Sequence, residues 1–409
     1  MPMGAYIVEC VRTATGKRKG ALAGVHPADL GAVVVDALVD RSGVDPAAVD
    51  DVVWGCVSQI GAQAGNIGRS VVLSSKLPES VPGTTCDRQC GSSQQAIHQA
   101  AQAVMSGTQD IVIAGGVENM STCPIGSNVM VGMAAGHGFP FNSKGIEAHY
   151  PDKQFSQFAG AEMLAKKYDL SRAELDAMAA RSHKRGAEAY ARGAFDNEIV
   201  PVEVEDEDGR THLHAKDEGL RPGTTVEKLA KLKTMAPGGV LTPGTASQIS
   251  DGAAAVMIVN ERGLEHLRKQ GKGAKARARI VGLALAGSDP VVMLEGPIPA
   301  TKNVLAKTGL SLSDMDLYEV NEAFASVPGS WAKALGADHN KLNVCGSAMA
   351  LGHPLGATGA KLMTTLVNQL EQRNGRYGLL AICEGGGTAN ATIIERCAPD
   401  GSSLPRARL

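Results

Sequence analysis

Two cysteines of this chain stand where a thiol can do chemistry, and Cys90 is the first. It lies between a turn and the expected start of a helix, in the run Cys90-Gly91-Ser92-Ser93. The unpaired N–H groups and the dipole of a helix start stabilise a thiolate and lower the pKa of the thiol. Cys90 is therefore a candidate nucleophile, although an isolated cysteine is more often a small buried hydrophobe.

Cys383 is the second, at the end of an apolar run, before Glu384 and the three glycines Gly385–Gly387. Glycines leave the neighbouring backbone N–H groups open, and such groups can bind a developing oxyanion. The same run also fits a glycine-rich turn that only reverses the chain.

A histidine and an asparagine complete the candidate set. His353 lies between Gly352 and Pro354 and leads into a helix crowded with glycine and alanine. Glycine inside a helix costs roughly 1 kcal/mol relative to alanine, so this segment indicates a geometric requirement. By itself it also fits a loop histidine packed against a helix start. Asn321 follows an apolar strand and can hold a water or an oxyanion, but taken alone it is better explained as a helix cap.

The elements that must position these residues occur twice in the chain. The first third predicts strands at 5–10, 51–57 and 111–117, the last ending at Gly115-Gly116, with helices from Pro27 and from Cys90 to about Met105. The last third predicts strands at 278–285 and 316–320, a helix at 299–309 and a run, Cys345-Gly346-Ser347, that echoes the run at Cys90. The simplest organisation is an α/β fold built from a repeated β-α-β-α-β unit.

A long insertion separates the two repeats. Residues 120–150 are rich in Gly, Pro and Ser and read as irregular loop. Two helices are expected after it, the second starting at a capping box from Ser171 to Glu174. Residues 200–235 are charged and expected to be exposed. A loop at 242–250 leads into residues 251–260, which fit a strand or a buried helix-to-strand segment.

Composition limits the classes of function. A chain of 409 residues suggests two or three packed units. Its net charge of −2 argues against a general role on nucleic acid or membrane surfaces. No run of eighteen apolar residues predicts a membrane span. The eight cysteines form no CxxC pair, so neither a zinc site nor a disulfide framework is indicated and a reduced, cytoplasmic location is expected.

Four segments together resemble the thiolase family, in its order and approximate spacing. They are CGS at 90–92, NEAFA at 321–325, GHPLGATGA at 352–360 and C-x-G-G-G at 383–387. The resemblance runs through essentially the whole chain and includes TPGTASQISDGAAA at 242–255, which looks like the thiolase loop that lines the pantetheine tunnel.

That resemblance implies an α/β, thiolase-like five-layer αβαβα fold made of two similar halves. The N-terminal half would comprise residues 1–118 and 250–272. A loop domain that binds CoA and substrate would occupy residues 119–249, and the C-terminal half residues 273–409.

The resemblance also implies catalytic roles. Cys90 resembles the acylated nucleophile, His353 the base that activates it, and Cys383 the second acid/base group. Asn321 resembles the residue that holds a catalytic water, and this water and His353 would form one oxyanion hole. The backbone N–H groups of Cys90 and Gly385 would form the other.

Coenzyme A is the implied co-substrate, with no permanently bound cofactor and no metal. Ser247 resembles a residue that contacts the pantetheine arm, and Arg221 one near the adenine and phosphates. Lys228 belongs to a lysine cluster that could attract the phosphates. A homodimer or homotetramer is expected, with acyl-CoA and CoA as its small-molecule partners.

The implied activity is that of an acyltransferase that cleaves 3-ketoacyl-CoA with CoA, through an acyl-Cys90 intermediate, to acetyl-CoA and a shortened acyl-CoA. Gln157-Phe158 replaces a His-Met pair typical of short-chain biosynthetic enzymes, which favours a degradative thiolase for larger acyl groups. The alternative is a biosynthetic acetyl-CoA C-acetyltransferase that condenses two acetyl-CoA to acetoacetyl-CoA. The chain also departs from the family at Cys345-Gly346-Ser347, where Asn-Gly-Gly is usual, and at Glu384, where an aliphatic residue is usual.

Two other classes of protein fit less well. An acyl-CoA-binding module without catalysis would lack Cys90, His353 or Cys383. A ketosynthase-like decarboxylating enzyme commonly uses a Cys-His-His or Cys-His-Asn set, so the second cysteine argues against it.

Overall fold

The computed structural model describes residues 3–206, 208–270 and 274–404. The strands are β1 Tyr6–Thr13, β2 Gly16–Lys17, β3 Asp51–Gly55, β4 Gly83–Cys86, β5 Ile111–Asn119, β6 Ile199–Val200, β7 Val202–Glu205, β8 Thr211–His214, β9 Ser250–Val259, β10 Ala278–Gly287, β11 Leu317–Val320, β12 Tyr377–Glu384 and β13 Thr388–Arg396. The helices are α1 Pro27–Ser42, α2 Ile67–Ser74, α3 Ser92–Ser106, α4 Ser127–Ala134, α5 Lys144–His149, α6 Gln157–Lys167, α7 Arg172–Ala191, α8 Val226–Leu229, α9 Glu261–Lys269, α10 Pro297–Thr308, α11 Ser326–Leu335, α12 Ala348–Leu351 and α13 Thr358–Gln372.

The main sheet consists of two halves that meet at β1 and β10, in the order β11-β12-β13-β10-β1-β9-β5-β3-β4. In the N-terminal half the pairs β1/β9 and β9/β5 are antiparallel, and β5/β3 is parallel. In the C-terminal half β10/β13 and β13/β12 are antiparallel, and β12/β11 is parallel. The same succession of strand directions in both halves confirms the predicted repeat.

Helices cover both outer faces of the sheet and fill the space between its halves. Helix α1 packs on β1 and β9, and α10 packs on β10 and β13. Helices α3 and α13 contact each other; α13 also contacts β9 and β12, which belong to different halves. The buried apolar residues form three clusters that correspond to these three helix layers. The architecture is therefore the five-layer αβαβα arrangement that the sequence predicts.

Glycines allow the central layer to pack this tightly. A Cβ on Gly359 of α13 would lie 2.1 Å from the backbone nitrogen of Gln94 in α3. A Cβ on Gly116 of β5 would lie 2.1 Å from the carbonyl oxygen of Gly356. Both distances are far below van der Waals contact, so backbone meets backbone here and only glycine fits.

Two local predictions are wrong. The third strand does not end at Gly115-Gly116, because β5 continues to Asn119 and is buried along its whole length. The two glycines are interior because a neighbouring backbone approaches them. Residues 120–150 are not wholly irregular, since they contain α4 and α5. Gly126, with a φ of 78°, starts α4, and the Ser143 hydroxyl caps α5 by accepting from the Ile146 N–H.

The rest of the inserted segment follows its sequence pattern. The capping box at the start of α7 is present, with Ser171 and Glu174 each bonded to the other's backbone N–H. The charged stretch after it holds the hairpin β7–β8. The predicted junction at residues 272 and 273 lies outside the described residues. None of the helices in the described ranges is long and apolar enough to cross a membrane.

Candidate active site

Cys90 lies at the end of a tight turn that joins β4 to α3. Gln89 has a φ of 49°, and the N–H groups of Gly91 and Ser92 donate to the carbonyls of Arg88 and Gln89 at 3.0 Å. The Ser92 hydroxyl closes the turn by donating to the Gln89 carbonyl at 2.6 Å. The turn holds Cys90, which is 6% exposed, at the N-terminal end of α3.

Burial dominates the acidity of Cys90. Burial and the nearby Glu384 carboxyl raise the pKa of the Cys90 thiol to about 12, against a smaller opposing effect of its own backbone N–H. The helix start predicts a lowered pKa for the Cys90 thiol, and that prediction is wrong because desolvation penalises a thiolate. The thiol is therefore protonated at neutral pH and needs a base.

His353 follows α12 in a turn made by Gly352, whose φ is 81°. Its N–H donates to the Ser250 hydroxyl oxygen at 3.1 Å. Its Nδ1 lies 2.6 Å from the Thr358 hydroxyl oxygen, and that hydroxyl donates its only proton to the Pro354 carbonyl at 2.9 Å. Thr358 must therefore accept from the Nδ1–H, which leaves Nε2 of the neutral ring as a hydrogen-bond acceptor.

Asn321 faces that nitrogen. Its Nδ2–H donates to Nε2 of His353 at 3.3 Å, and its backbone N–H donates to the carbonyl of Ala381, two residues before Cys383. Its Oδ1 is buried and has no hydrogen-bond partner in the described part of the chain. Asn321 does not cap α11, whose N-cap is Ala325, so its amide remains available to the site.

A buried lysine supports the histidine. Lys361 of α13 is 3% exposed and donates from Nζ to the carbonyls of Leu351 and Gly352, at 2.5 and 2.8 Å. Burial, with a smaller contribution from the charge of Lys361, lowers the pKa of His353 to about 3. The imidazole is therefore neutral at physiological pH and can accept a proton.

Cys383 and Gly385 lie on the opposite side of the nucleophile turn. Cys383 pairs with Ala389 in the β12–β13 hairpin and is fully buried. Burial raises the pKa of the Cys383 thiol well above its usual value, and Cys90 adds to the rise, which puts the two thiols near each other. A Cβ on Gly385 would meet Oε1 of Gln89 at 2.9 Å, so the glycine turn contacts the turn that holds Cys90.

The histidine segment also packs directly on the nucleophile segment. The N–H of Ala360 donates to the Ser93 hydroxyl oxygen at 2.9 Å, and α13 meets α3 backbone to backbone at Gly359. The structure thus brings the five predicted catalytic residues together where its two halves meet. They are Cys90, Asn321, His353, Cys383 and Gly385.

The three predicted CoA contacts are placed differently. Ser247 is half-buried and close to the site, since its N–H donates to the Ala323 carbonyl at 2.9 Å. Arg221 and Lys228 are exposed in the segment around α8, and Nζ of Lys228 donates to the Gly223 carbonyl at 2.6 Å. Neither makes a hydrogen bond to the five central residues within the described ranges. Their part in CoA binding stays a prediction.

Three supporting residues were missed from the sequence. Thr358 lies inside the GHPLGATGA run, where a hydroxyl five residues after a histidine was a usable signal. Ser250 ends the loop at 242–250 that was assigned only to the pantetheine. Lys361 gave no signal, because lysine is almost always exposed unless it is paired.

Comparisons with known proteins find matches along nearly the whole chain. Residues 5–262 match the family model of the thiolase N-terminal domain, and residues 274–396 match that of the thiolase C-terminal domain. The steroid 3-ketoacyl-CoA thiolase FadA6 of Mycobacterium tuberculosis is 53% identical over 393 residues, which cover 96% of this chain and 94% of that protein. A 3-ketoacyl-CoA thiolase of Psychrobacter cryohalolentis is 41% identical over 400 residues, covering 97% and 98%.

A solved structure extends the match to three dimensions. The crystal structure of the Bacillus anthracis acetyl-CoA acetyltransferase superposes with a TM-score of 0.85 at 35% identity, covering 97% of this chain and 99% of that one. The domain matches, the relatives and the fold all indicate the same protein family. The chain therefore belongs to the thiolase family and is an acyltransferase.

Proposed function

We propose that this enzyme is a degradative thiolase, which cleaves 3-ketoacyl-CoA with CoA to acetyl-CoA and a shortened acyl-CoA. The observation that carries the proposal is the pairing of two buried thiols, Cys90 and Cys383, with a neutral His353 whose unprotonated nitrogen is Nε2. Thiolysis needs one nucleophile and two proton transfers, and these groups supply them.

In the first half-reaction, Nε2 of His353 takes the proton of Cys90 and the thiolate attacks the 3-keto carbon. The N–H groups of Cys90 and Gly385 bind the tetrahedral oxyanion. The carbon–carbon bond then breaks and leaves the enolate of acetyl-CoA. A water held by Asn321, together with the His353 imidazolium, stabilises the enolate oxygen, and Cys383 protonates the enolate carbon.

In the second half-reaction, CoA replaces acetyl-CoA. The Cys383 thiolate takes the proton of the CoA thiol, and the CoA sulfur attacks the acyl-Cys90 thioester. Collapse of the tetrahedral intermediate releases the shortened acyl-CoA, and the cysteine is again a thiol after His353 returns its proton. The kinetics are therefore ping-pong.

The names of the relatives favour the degradative direction over condensation. The proteins at 53% and 41% identity are both named 3-ketoacyl-CoA thiolases, whereas the acetyl-CoA acetyltransferase is 35% identical. The relative at 53% is named a steroid 3-ketoacyl-CoA thiolase, which supports a bulky acyl group.

The remaining assignments belong to the same proposal. Residues 119–249 form a loop domain that binds CoA and substrate, between an N-terminal half of 1–118 with 250–272 and a C-terminal half of 273–409. Ser247 contacts the pantetheine, and Arg221 and Lys228 attract the adenine and phosphate end. The enzyme works as a homodimer or homotetramer in the cytoplasm. Exposed apolar side chains such as Met130, at 69% exposure, support contact with a second copy.

The test is CoA-dependent cleavage of short, long and ring-bearing 3-ketoacyl-CoA substrates by wild type and Cys90→Ala. We expect cleavage by wild type with higher kcat/KM for long or ring-bearing substrates, and loss of it in the variant. Higher kcat/KM on acetoacetyl-CoA would favour the biosynthetic alternative instead. Absence of cleavage with every substrate would contradict the proposal.

A further inference from the structure

The side chain of Glu384 lies directly against the nucleophile turn. It is 0% exposed, at the last position of β12. A Cβ on Gly91 would lie 2.0 Å from Oε1 of Glu384 and 2.7 Å from Nδ2 of Asn390. That Asn390 amide donates to the Gly91 carbonyl at 2.9 Å. The carboxyl is therefore packed against the residue that follows Cys90, on the side held by β13.

The Glu384 carboxyl lacks the hydrogen bonds that usually compensate for the cost of burying such a group. Among the residues that the structure describes, neither oxygen of Glu384 has a hydrogen-bond partner. The Thr388 side chain is near enough to favour the ionised form but not in hydrogen-bonding geometry. Burying an unpaired carboxylate is expensive, so the protonated form is favoured. Burial accordingly raises the pKa of Glu384 to about 8.

Cys90 and Glu384 share one helix end. Helix α3 starts at Ser92 with Gly91 as its N-cap, and no side chain supplies a capping hydrogen bond. The positive end of the helix dipole therefore faces both the Cys90 thiol and the Glu384 carboxyl. The Glu384 carboxyl raises the pKa of Cys90, so a negative charge on one group disfavours a negative charge on the other.

We propose that Glu384 is a positioning residue that controls, through the N-terminal end of α3, how readily Cys90 forms its thiolate. While the Glu384 carboxyl is protonated, the positive end of the helix dipole stabilises negative charge on Cys90 alone. Once the carboxyl ionises, its charge opposes the thiolate. This inference rests on the proposed function only in that it takes Cys90 as the nucleophile, and it adds a residue that reaches the reaction through Cys90.

Other charged and titratable groups lie near the Glu384 carboxyl, and a test must leave them unchanged. Arg88, in the nucleophile turn, favours the ionised form of Glu384, and Asp87 opposes it. Cys383 is adjacent on β12. Changing only residue 384 leaves these three groups in place, so a difference between variants reports the charge at that position.

The experiment measures the rate of iodoacetamide alkylation at Cys90 from pH 6.5 to 10, with the modified peptide identified by mass spectrometry. Wild type is compared with Glu384→Gln, Glu384→Leu and Glu384→Asp, each checked for native circular dichroism. We expect the four proteins to alkylate alike near pH 7. Above about pH 8, the wild-type and Asp rates should rise less steeply than those of Gln and Leu. A change of one unit in the Cys90 pKa corresponds to about a tenfold difference in rate.

Superimposable profiles for wild type and Glu384→Gln would overturn the inference. So would a steep profile in Glu384→Asp, because loss of the effect with the carboxyl still present would mean a packing change. Alkylation needs no acyl-CoA, so it is independent of the thiolase assay run on the same preparations. Wild type without thiolytic activity, but with the expected profiles, would refute the proposed function and leave this inference standing.

Discussion

The hydroxyl of Thr358 decides which nitrogen of His353 carries the proton. It donates to Pro354 and so must accept from Nδ1–H, which directs the lone pair of Nε2 into the site. We expect Thr358→Val to lower kcat/KM by about 10- to 100-fold, part of the usual contribution of a general base. Thr358→Ser keeps the hydroxyl and should retain most activity. Equal activity in the Val variant would mean that another group fixes the tautomer.

Lys361 has an electrostatic effect on the same histidine. Burial, and then the charge of Lys361, lower the pKa of His353 to about 3. Removing a positive charge favours the protonated imidazole, so Lys361→Met should raise that pKa. A protonated His353 cannot accept the Cys90 proton, so activity is lost as pH falls through the raised value.

The measurement is kcat/KM from pH 7 down to the lowest pH at which the enzyme stays folded. We expect the Met variant to lose activity at a higher pH than wild type as the pH falls, and Lys361→Arg to resemble wild type. Parallel profiles for wild type and the Met variant would show that Lys361 acts only through its hydrogen bonds to Leu351 and Gly352.

At the scale of elements, the contact between α3 and α13 depends on Gly359. Alanine is the better helix former by roughly 1 kcal/mol, yet its Cβ would lie 2.1 Å from the backbone nitrogen of Gln94. Backbone atoms cannot rotate away, so we expect Gly359→Ala to reduce the free energy of unfolding by about 1–3 kcal/mol, the usual range for overpacking. Denaturant titration measures it.

Gly132 of α4 is the matched control, because no atom lies within 4 Å of its Cβ position. Gly132→Ala should leave the free energy of unfolding unchanged or slightly raised. If both substitutions behaved alike, close approach of the two central helices would not be the reason for glycine at 359.

The elements that the sequence predicted well are those whose pattern is local. Helix α1 has its proline at the start and its apolar stripe, and α7 has its capping box, so each carries its own signal. The glycines of β5 gave the wrong strand end because the atoms that require them are distant in sequence: Trp54 and Ala254 approach Gly115, and Gly356 approaches Gly116. Helices α4 and α5 were missed since each is short, has no buried residue and lies in a segment rich in Gly, Pro and Ser.

The same division applies to the candidate site. Cys90, His353, Cys383 and Asn321 stand in motifs that can be recognised from sequence. The partners Ser250, Thr358 and Lys361 depend on tertiary contacts, and the raised pKa of Cys90 depends on burial, which no local pattern records.

At the scale of the whole molecule, a buried ion cluster ties the inserted segment to the core. Arg12 of β1 donates to Glu198 at 2.6 Å and to Asp217 at 2.9 Å, with all three side chains almost fully buried. Thr365 of α13 also donates to Glu198, at 3.0 Å. Arg12→Met would leave two buried carboxyl groups without their ion-pair partner. We therefore expect a loss of about 3–5 kcal/mol in the free energy of unfolding.

The exposed pair Lys76–Asp40 provides a control for that prediction. Both side chains are more than half exposed, so Lys76→Met should change the free energy of unfolding far less than Arg12→Met. A loss in Arg12→Met no larger than that in Lys76→Met would show that the buried cluster does not hold the segment to the core.

The central claim is that an acyl group passes through Cys90. The most direct test is to mix the enzyme with a long-chain 3-ketoacyl-CoA in the absence of CoA, quench with acid and map the peptides by mass spectrometry. We predict release of acetyl-CoA and a shortened acyl group on Cys90, which disappears when CoA is added before the quench. An acyl group on another residue, or release of acetyl-CoA with no acylated peptide, would contradict the account.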